Sequence, residues 1–134
     1  MNCCPNNSIG RPMKIDKETI AGIVKAVEIF SRKDYDLQMK YWDSVTERIC
    51  SSLSDNGVVQ VRAAYPLEPG VQPAIVLRAY IRPLNKTASR LRDDLLNNDP
   101  SVFAGVSGDE LVINPQCIED FEVDDLIKAI KDNL

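Results

Sequence analysis

The sequence contains no histidine. This absence excludes the side chain most often used as a general base near neutral pH, the Ser-His and Cys-His nucleophile pairs, and imidazole metal ligands. Apolar runs are also short, and none approaches the ~20 residues that cross a membrane as a helix. The first residues lack the basic and then apolar pattern of a secretory signal. We therefore expect a cytoplasmic protein without a membrane segment.

Cysteine is scarce and is not spaced as in zinc sites. The four cysteines are Cys3, Cys4, Cys50 and Cys117. Cys3 and Cys4 are adjacent rather than two residues apart, so we interpret them as reduced thiols near the N-terminus. Cys50 falls within a helical pattern, which predicts a small packed side chain. The sequence therefore predicts no metal site.

The charge balance and length indicate one small acidic domain. The net charge is −4 and the isoelectric point is about 4.8, which argues against nucleic acid as a partner. An apolar fraction of 44% is ordinary for a folded protein. With 134 residues, a single compact domain is expected.

The N-terminal segment combines a possible hinge with two cations. Gly10 permits a sharp turn, and Pro12 favours an extended backbone at Arg11. Arg11 and Lys14 are then close enough to bind one anion together. From the residues alone, a polar loop with solvated cations is the alternative interpretation.

Hydrophobic periodicity predicts eight regular elements after this segment. They are helices over about 17–32, 35–53, 88–96 and 122–134, and strands over about 58–63, 74–81, 101–106 and 110–114. The order α-α-β-β-α-β-β-α predicts an α+β fold, a four-stranded, mainly antiparallel sheet with helices on one face. If Arg62, Arg78 and Tyr80 line the other face, that face is polar and free, whereas an apolar face would require a partner.

The first predicted helix begins after an N-cap at Asp16 and carries a single apolar stripe. The apolar stripe consists of Ile20, Ile23, Val24, Val27 and Phe30. Burying each of these side chains is worth roughly 1.5–3 kcal/mol, so we expect packing to place this helix. Ile29 lies off the stripe, where it either contacts a neighbouring domain or is an ordinary exposed residue.

The run Gly10-Arg11-Pro12-Met13-Lys14-Ile15-Asp16-Lys17-Glu18, followed by Ile20-Ala21-Gly22-Ile23, resembles one segment of a known family. The family is that of selenocysteine synthase (L-seryl-tRNA selenium transferase)-like pyridoxal-phosphate enzymes, which have the aminotransferase fold. A branch with these residues is similar to D-glucosaminate-phosphate ammonia-lyase. There the segment joins a large cofactor domain to a small C-terminal domain. The resemblance implies that residues 1–15 form this connecting segment, here called the seam, and that residues 16–134 form a small α+β domain. The order of elements extends the resemblance to the stretch 105–115.

The resemblance also implies that catalytic parts are absent from this chain. In the family, the lysine that binds the cofactor lies well upstream of the seam, in a glycine-rich strand-to-loop context. No lysine here occupies such a context; the lysines are Lys14, Lys17, Lys25, Lys33, Lys40, Lys86, Lys128 and Lys131. We therefore expect the chain alone to bind no pyridoxal phosphate as an aldimine and to be inactive alone as a transferase or lyase.

Three hypotheses for function follow. In the first, the chain is a C-terminal domain or truncated relative of such an enzyme, and Arg11 and Lys14 match a cation pair that holds an anionic substrate. Lys14 departs from the two arginines of the synthase, which puts a selenium donor in doubt and leaves a phosphate or carboxylate as the anion. In the second, the chain is a stand-alone assembly module that pairs with itself or with a separate large cofactor domain. In the third, it is an unrelated regulatory domain that binds a small ligand.

Overall fold

The computed structural model describes residues 15–67, 70–71 and 73–134. It shows the α+β fold with a four-stranded antiparallel sheet, and the elements follow the predicted order. The elements are α1 (Lys17–Ser31), α2 (Tyr35–Ser54), β1 (Val59–Ala64), β2 (Arg78–Pro83), α3 (Ala88–Leu96), β3 (Gly105–Ser107), β4 (Glu110–Ile113) and α4 (Val123–Asp132). Two short 3₁₀ turns, Pro115–Cys117 and Asp120–Glu122, connect β4 to α4.

The chain divides into two compact units, one that ends at Tyr35 and one that spans Asp36–Leu134. Of the first unit, the structure describes residues 15–35, which contain α1. The seam at residues 1–15 and the single domain at residues 16–134 stay predictions.

Helix α1 begins as predicted but does not bury its apolar stripe. The carboxylate of Asp16 accepts a hydrogen bond of 2.6 Å from the backbone N–H of Thr19, which confirms the N-cap. No residue of α1 is buried, and the stripe residues are between 49% and 65% exposed. The expectation that burial of the stripe determines the position of this helix is therefore wrong. The physical reason is local, since the described part of this unit offers no second element against which the stripe can pack.

The sheet of the second unit has the strand order β1-β2-β4-β3, and every neighbouring pair is antiparallel. β2 and β4 are the central strands. Gly108, with a φ of 57°, occupies the tight turn between β3 and β4. The two edges of the sheet are therefore β1 and the three-residue strand β3.

One face of the sheet forms the core with α2, α3 and α4. From the sheet, the core contains Val59, Ala79, Ile81, Leu111 and Ile113. From the helices, it contains Val45, Ile49, Leu53, Leu91, Leu95, Val123, Leu126, Ile127, Ala129 and Ile130. In α2 only the C-terminal half contributes buried residues. In the N-terminal half, Tyr35 is exposed and Met39 and Trp42 are half-buried.

Two strands are shorter than predicted. β2 begins at Arg78 rather than at residue 74, because its partner β1 ends shortly before Pro66, which has no N–H to continue the ladder. β3 begins at Gly105 rather than at residue 101. There the backbone N–H of Val102 donates to the carbonyl of Leu95 at 2.9 Å, which attaches this segment to the end of α3.

Candidate functional site

The residues that the sequence predicted for anion binding, Arg11 and Lys14, lie outside the described residues, as do Cys3 and Cys4. Their roles stay predictions. Cys50 is half-buried against the core, as predicted. Burial, followed by the nearby charge of Glu47, raises the pKa of the Cys50 thiol. The thiolate is therefore disfavoured, and Cys50 is a poor candidate for a nucleophile.

The sheet face opposite the core is polar. Arg62, Tyr80, Val112 and Gly105 are register partners in turn across all four strands, so their side-chain positions form one row on this face. Arg78 lies two residues before Tyr80 and on the same face. Of the two alternatives that the sequence left open, the polar face is the one observed. This face is not free at its centre, however, because Tyr80 is only 3% exposed and Arg78 only 9% exposed.

Arg62 covers the ring of Tyr80. Its guanidinium carbon lies 4.2 Å from the ring centroid, and its Nε donates to Glu110 Oε1 at 2.8 Å. The Nη2 of Arg62 donates to the other oxygen of the same carboxylate. This bidentate pair and the cation–π contact together hold Arg62 in one orientation over the phenol ring.

Beside Tyr80 lies a cavity of about 270 Å³, here called the arginine cavity. Its lining residues are Val71, Arg78, Tyr80, Gly105, Val106, Ser107, Val112 and Asn114. Arg78 is the one charged residue among those that the structure describes around this cavity. The carboxamide of Asn114 is bonded to Gln116: its Nδ2 donates to Gln116 Oε1 at 3.2 Å, and its Oδ1 accepts from the backbone N–H of Gln116 at 3.2 Å.

A second cavity, the apolar groove, has a volume of about 690 Å³ and lies where β3 begins and β4 ends. Apolar side chains from both sides form most of it, including Val102, Ile118 and Leu126. Two phenylalanines in its lining are strongly exposed, Phe103 at 86% and Phe121 at 79%. Large exposed aromatic side chains around a concave apolar surface are typical of binding sites.

The arginine cavity and the apolar groove share three lining residues, Gly105, Val112 and Asn114. Gly105 lies in β3, an edge strand of the sheet. A Cβ at this position would lie 3.6 Å from the carbonyl oxygen and 3.7 Å from the Cβ of Val112, which are ordinary contacts. The backbone therefore does not require glycine here.

Several other charged side chains form surface ion pairs. Arg82 lies 3.4 Å from Asp109, Arg90 lies 3.0 Å from Asp94, and each arginine is more than half exposed. Arg92 pairs with its neighbour Asp93. Within the described parts of the chain, no three potential metal ligands cluster. The helices described here include none that is both long and apolar enough to cross a bilayer.

Neither the arginine cavity nor the apolar groove has a described lysine in its lining. Lys86 is partly buried, but its Nζ donates to Asp94 at 3.0 Å and to the carbonyl of Asn133 at 2.7 Å. Lys86 therefore makes two hydrogen bonds within the fold, one to α3 and one to the C-cap residue of α4.

Sequence reasoning missed both cavities. It placed Phe103 within a strand and gave Phe121 no role, although Phe121 stands alone among the acidic residues Glu119, Asp120 and Glu122. Such an isolated aromatic residue was the available signal. Neither models of protein families nor curated proteins match this sequence.

Proposed function

We propose that this chain is an assembly module that pairs with a second copy of itself through α1 and is not catalytic alone. We further propose that it is related to the C-terminal small domain of selenocysteine synthase-like pyridoxal-phosphate enzymes. The observation that carries the assembly function is the apolar stripe of α1, which is exposed along its whole length. Apolar side chains repeated at helical spacing and left in water favour association with another apolar surface.

The spacing within the stripe favours a helix as the partner surface. Ile20, Ile23, Val27 and Phe30 follow one another at intervals of three, four and three residues. These are the a and d positions of a heptad, which pack against the same positions of a second helix. Val24 widens the stripe at one e position.

The residues beside the stripe favour a second copy of α1 as that helix. The other e and g positions are Thr19, Ala26 and Ser31, which are small and uncharged, so two copies meet without repulsion between like charges. The charged residues lie farther around the helix. There Glu28 pairs with Lys25 at 3.0 Å and with Arg32 at 2.9 Å, within the same helix. These pairs stabilise α1 modestly and keep its charges away from the stripe.

The relation to pyridoxal-phosphate enzymes is supported by the sequence of the N-terminal seam and by the α+β fold with its element order. In this proposal a large cofactor domain outside the described residues would hold the cofactor. Arg11 and Lys14 would then bind an anionic group of the substrate beside that cofactor. In this proposal the seam contacts the large domain, while the stripe of α1 joins two copies of the chain.

If α1 pairs through its stripe, a charged substitution on the stripe should weaken dimerisation more than one on the opposite face of the helix. Val27 on the stripe and Ile29 opposite it are 60% and 59% exposed, so they are matched in burial. Val27→Glu should abolish a dimer that the wild-type chain forms at high protein concentration, whereas Ile29→Glu should leave that dimer intact. Sedimentation equilibrium over a concentration series measures both. A wild-type chain that stays monomeric throughout, or equal effects of the two substitutions, would contradict the proposal.

The cofactor part of the proposal predicts no aldimine. The isolated chain mixed with pyridoxal phosphate should show only the absorbance of the free cofactor. After borohydride treatment, mass spectrometry should find no cofactor attached to one particular lysine. A trappable adduct confined to one lysine, and lost when that lysine is replaced by arginine, would refute this part and leave the assembly function to be judged separately.

A further inference from the structure

The geometry points to a ligand site in the apolar groove, and we propose that it binds a small organic ammonium ion with an apolar body. The apolar body contacts the buried part of the groove, and the ammonium lies near Glu122 and Asp125 at the start of α4. All described residues that line the groove belong to the second unit. The site is therefore independent of the proposed assembly through α1.

The buried part of the lining, here called the floor, belongs to the core. Ile113 and Leu126 are at most 7% exposed, and Val102 and Ile118 are partly buried against the same core. Side chains packed into a core hold their positions, so the floor offers an apolar surface that a ligand can contact without rearrangement. The groove volume of about 690 Å³ falls in the usual range of small-molecule sites.

Two phenylalanines make the groove more than an indentation of the surface. Phe103 and Phe121 are 86% and 79% exposed, although both line the same cavity as the floor. An apolar group bound on the floor would remove part of both rings from water, which favours binding. The face of a phenyl ring also attracts a cation. These rings therefore favour an apolar body and are compatible with a positive charge beside it.

The charged groups that line the groove are all acidic. Among its described lining residues these are Glu122 and Asp125, with no arginine or lysine. One carboxylate oxygen of Glu122 accepts a hydrogen bond of 2.9 Å from the backbone N–H of Glu119, which leaves its charge in place. The neighbouring Asp124 is paired with Arg48 at 2.7 Å, whereas the carboxylate of Asp125 forms no ion pair with the part of the chain that the structure describes.

The helix dipole and the nearest lysine along α4 do not cancel this negative charge. The N-terminus of a helix carries about half a positive charge, which is less than the charge of two carboxylates. Lys128 lies one turn after Asp125, but within the described residues the two form no ion pair. This end of the groove therefore attracts a cation and repels an anion. Because Glu122 and Asp125 are both exposed, the attraction is modest and is screened by salt.

The first test compares three compounds that share one apolar body and differ in charge: 4-phenylbutylammonium, neutral 4-phenylbutanol and 4-phenylbutanoate. In ¹H–¹⁵N NMR titrations at neutral pH and low salt, the ammonium should shift the backbone amides of Phe103, Ile118 and Leu126. It should bind at least about threefold more tightly than the alcohol and about tenfold more tightly than the carboxylate. Both ratios should shrink in about 0.5 M salt.

Four outcomes of these titrations would overturn the proposal. They are no binding of the ammonium, equal binding of the three compounds, tighter binding of the carboxylate, and shifts confined to residues outside the groove. Shifts of the same amides on dilution of the protein without any compound would identify a second copy of this chain as the occupant, and would overturn it as well.

The second test removes one charge from the site. Asp125→Asn should weaken binding of 4-phenylbutylammonium at least about twofold and leave binding of 4-phenylbutanol unchanged. Asp132→Asn is the matched control, because it removes the same charge from an exposed residue at the other end of α4, outside the groove. It should change the binding of neither compound. Equal effects of the two substitutions on the ammonium would refute the role of Asp125.

The third test removes apolar surface from the site. Phe103→Ser should weaken binding of all three compounds at least about threefold, since less apolar area is buried on binding. The variant should fold, because Phe103 is 86% exposed. Leu67→Ser is the control, since Leu67 is 91% exposed and does not line the groove. Unchanged binding to the folded Phe103→Ser variant would refute the site.

Discussion

Helices α1 and α4 both carry one apolar face, but only the apolar face of α4 is buried. In α4, Val123, Leu126, Ile127 and Ile130 are at most 7% exposed, whereas in α1 the stripe residues are at least 49% exposed. α4 lies in a unit with a sheet and two other helices that its face can contact. Periodicity therefore identifies an amphipathic helix, but it does not tell which surface covers its apolar face.

The largest difference between the two helices is expected on removal of an apolar side chain. Ile130→Ala leaves a cavity in the core and should lower the free energy of unfolding by about 2–5 kcal/mol. Ile23→Ala removes the same atoms from a side chain that is 51% exposed, and in the dilute monomer it should change stability by at most about 0.5 kcal/mol. Urea unfolding followed by the fluorescence of Trp42 measures both. Similar losses would mean that the stripe is covered within one chain.

An intermediate effect is expected at the C-terminal end of α4. Lys86 donates to the carbonyl of Asn133, the C-cap residue of α4, and also to Asp94, so it attaches the end of this helix to α3. Lys86→Met should cost about 1.5–3 kcal/mol, since it removes hydrogen bonds of a partly buried charge. Arg92→Met, at an exposed ion pair, should cost less than about 1 kcal/mol. Thermal unfolding of the two variants compares them, and equal losses would remove any special role for Lys86.

The smallest effect is expected at the N-terminus of α1. Hydrogen bonds from the side chain and then the backbone of Thr19 lower the pKa of Asp16. Because the pKa is lower in the helix than in the unfolded chain, the cap stabilises α1 above the unfolded pKa of the carboxyl group. This stabilisation is lost as the pH falls through the lowered pKa.

Substitutions at Asp16 separate the cap from its charge. Asp16→Ala should lower the helix content of α1 at neutral pH, because it removes the N-cap. Asp16→Asn should keep most of the helix at neutral pH and should also keep it in acid, since the amide caps the helix without titrating. Carbon chemical shifts of Ala21 and Ala26 along a pH series report the helix content. An acid transition in the Asn variant equal to that of the wild type would contradict the role of Asp16.

Local signals in the sequence predicted local structure well. Asp16 caps α1 as predicted, because an N-cap depends on residues a few positions apart. The cap of α3 at Thr87 and the turn at Gly108 are features of the same local kind. The strand ends were predicted less well, since the start of β2 depends on where its partner β1 ends. The two cavities were not predicted at all, and neither was the ion pair of Arg62 with Glu110. These two residues are 48 positions apart, and only the sheet topology brings such residues together.

The central claim is that the exposed stripe of α1 is an interface between two copies of this chain. The most direct test is an isotope-filtered NOE experiment on an equimolar mixture of ¹³C-labelled and unlabelled protein at high concentration. We predict intermolecular NOEs among the methyl groups of Ile20, Ile23 and Val27, and their loss in the Val27→Glu variant. Intermolecular NOEs that come only from residues outside α1, or a complete absence of such NOEs, would contradict the account.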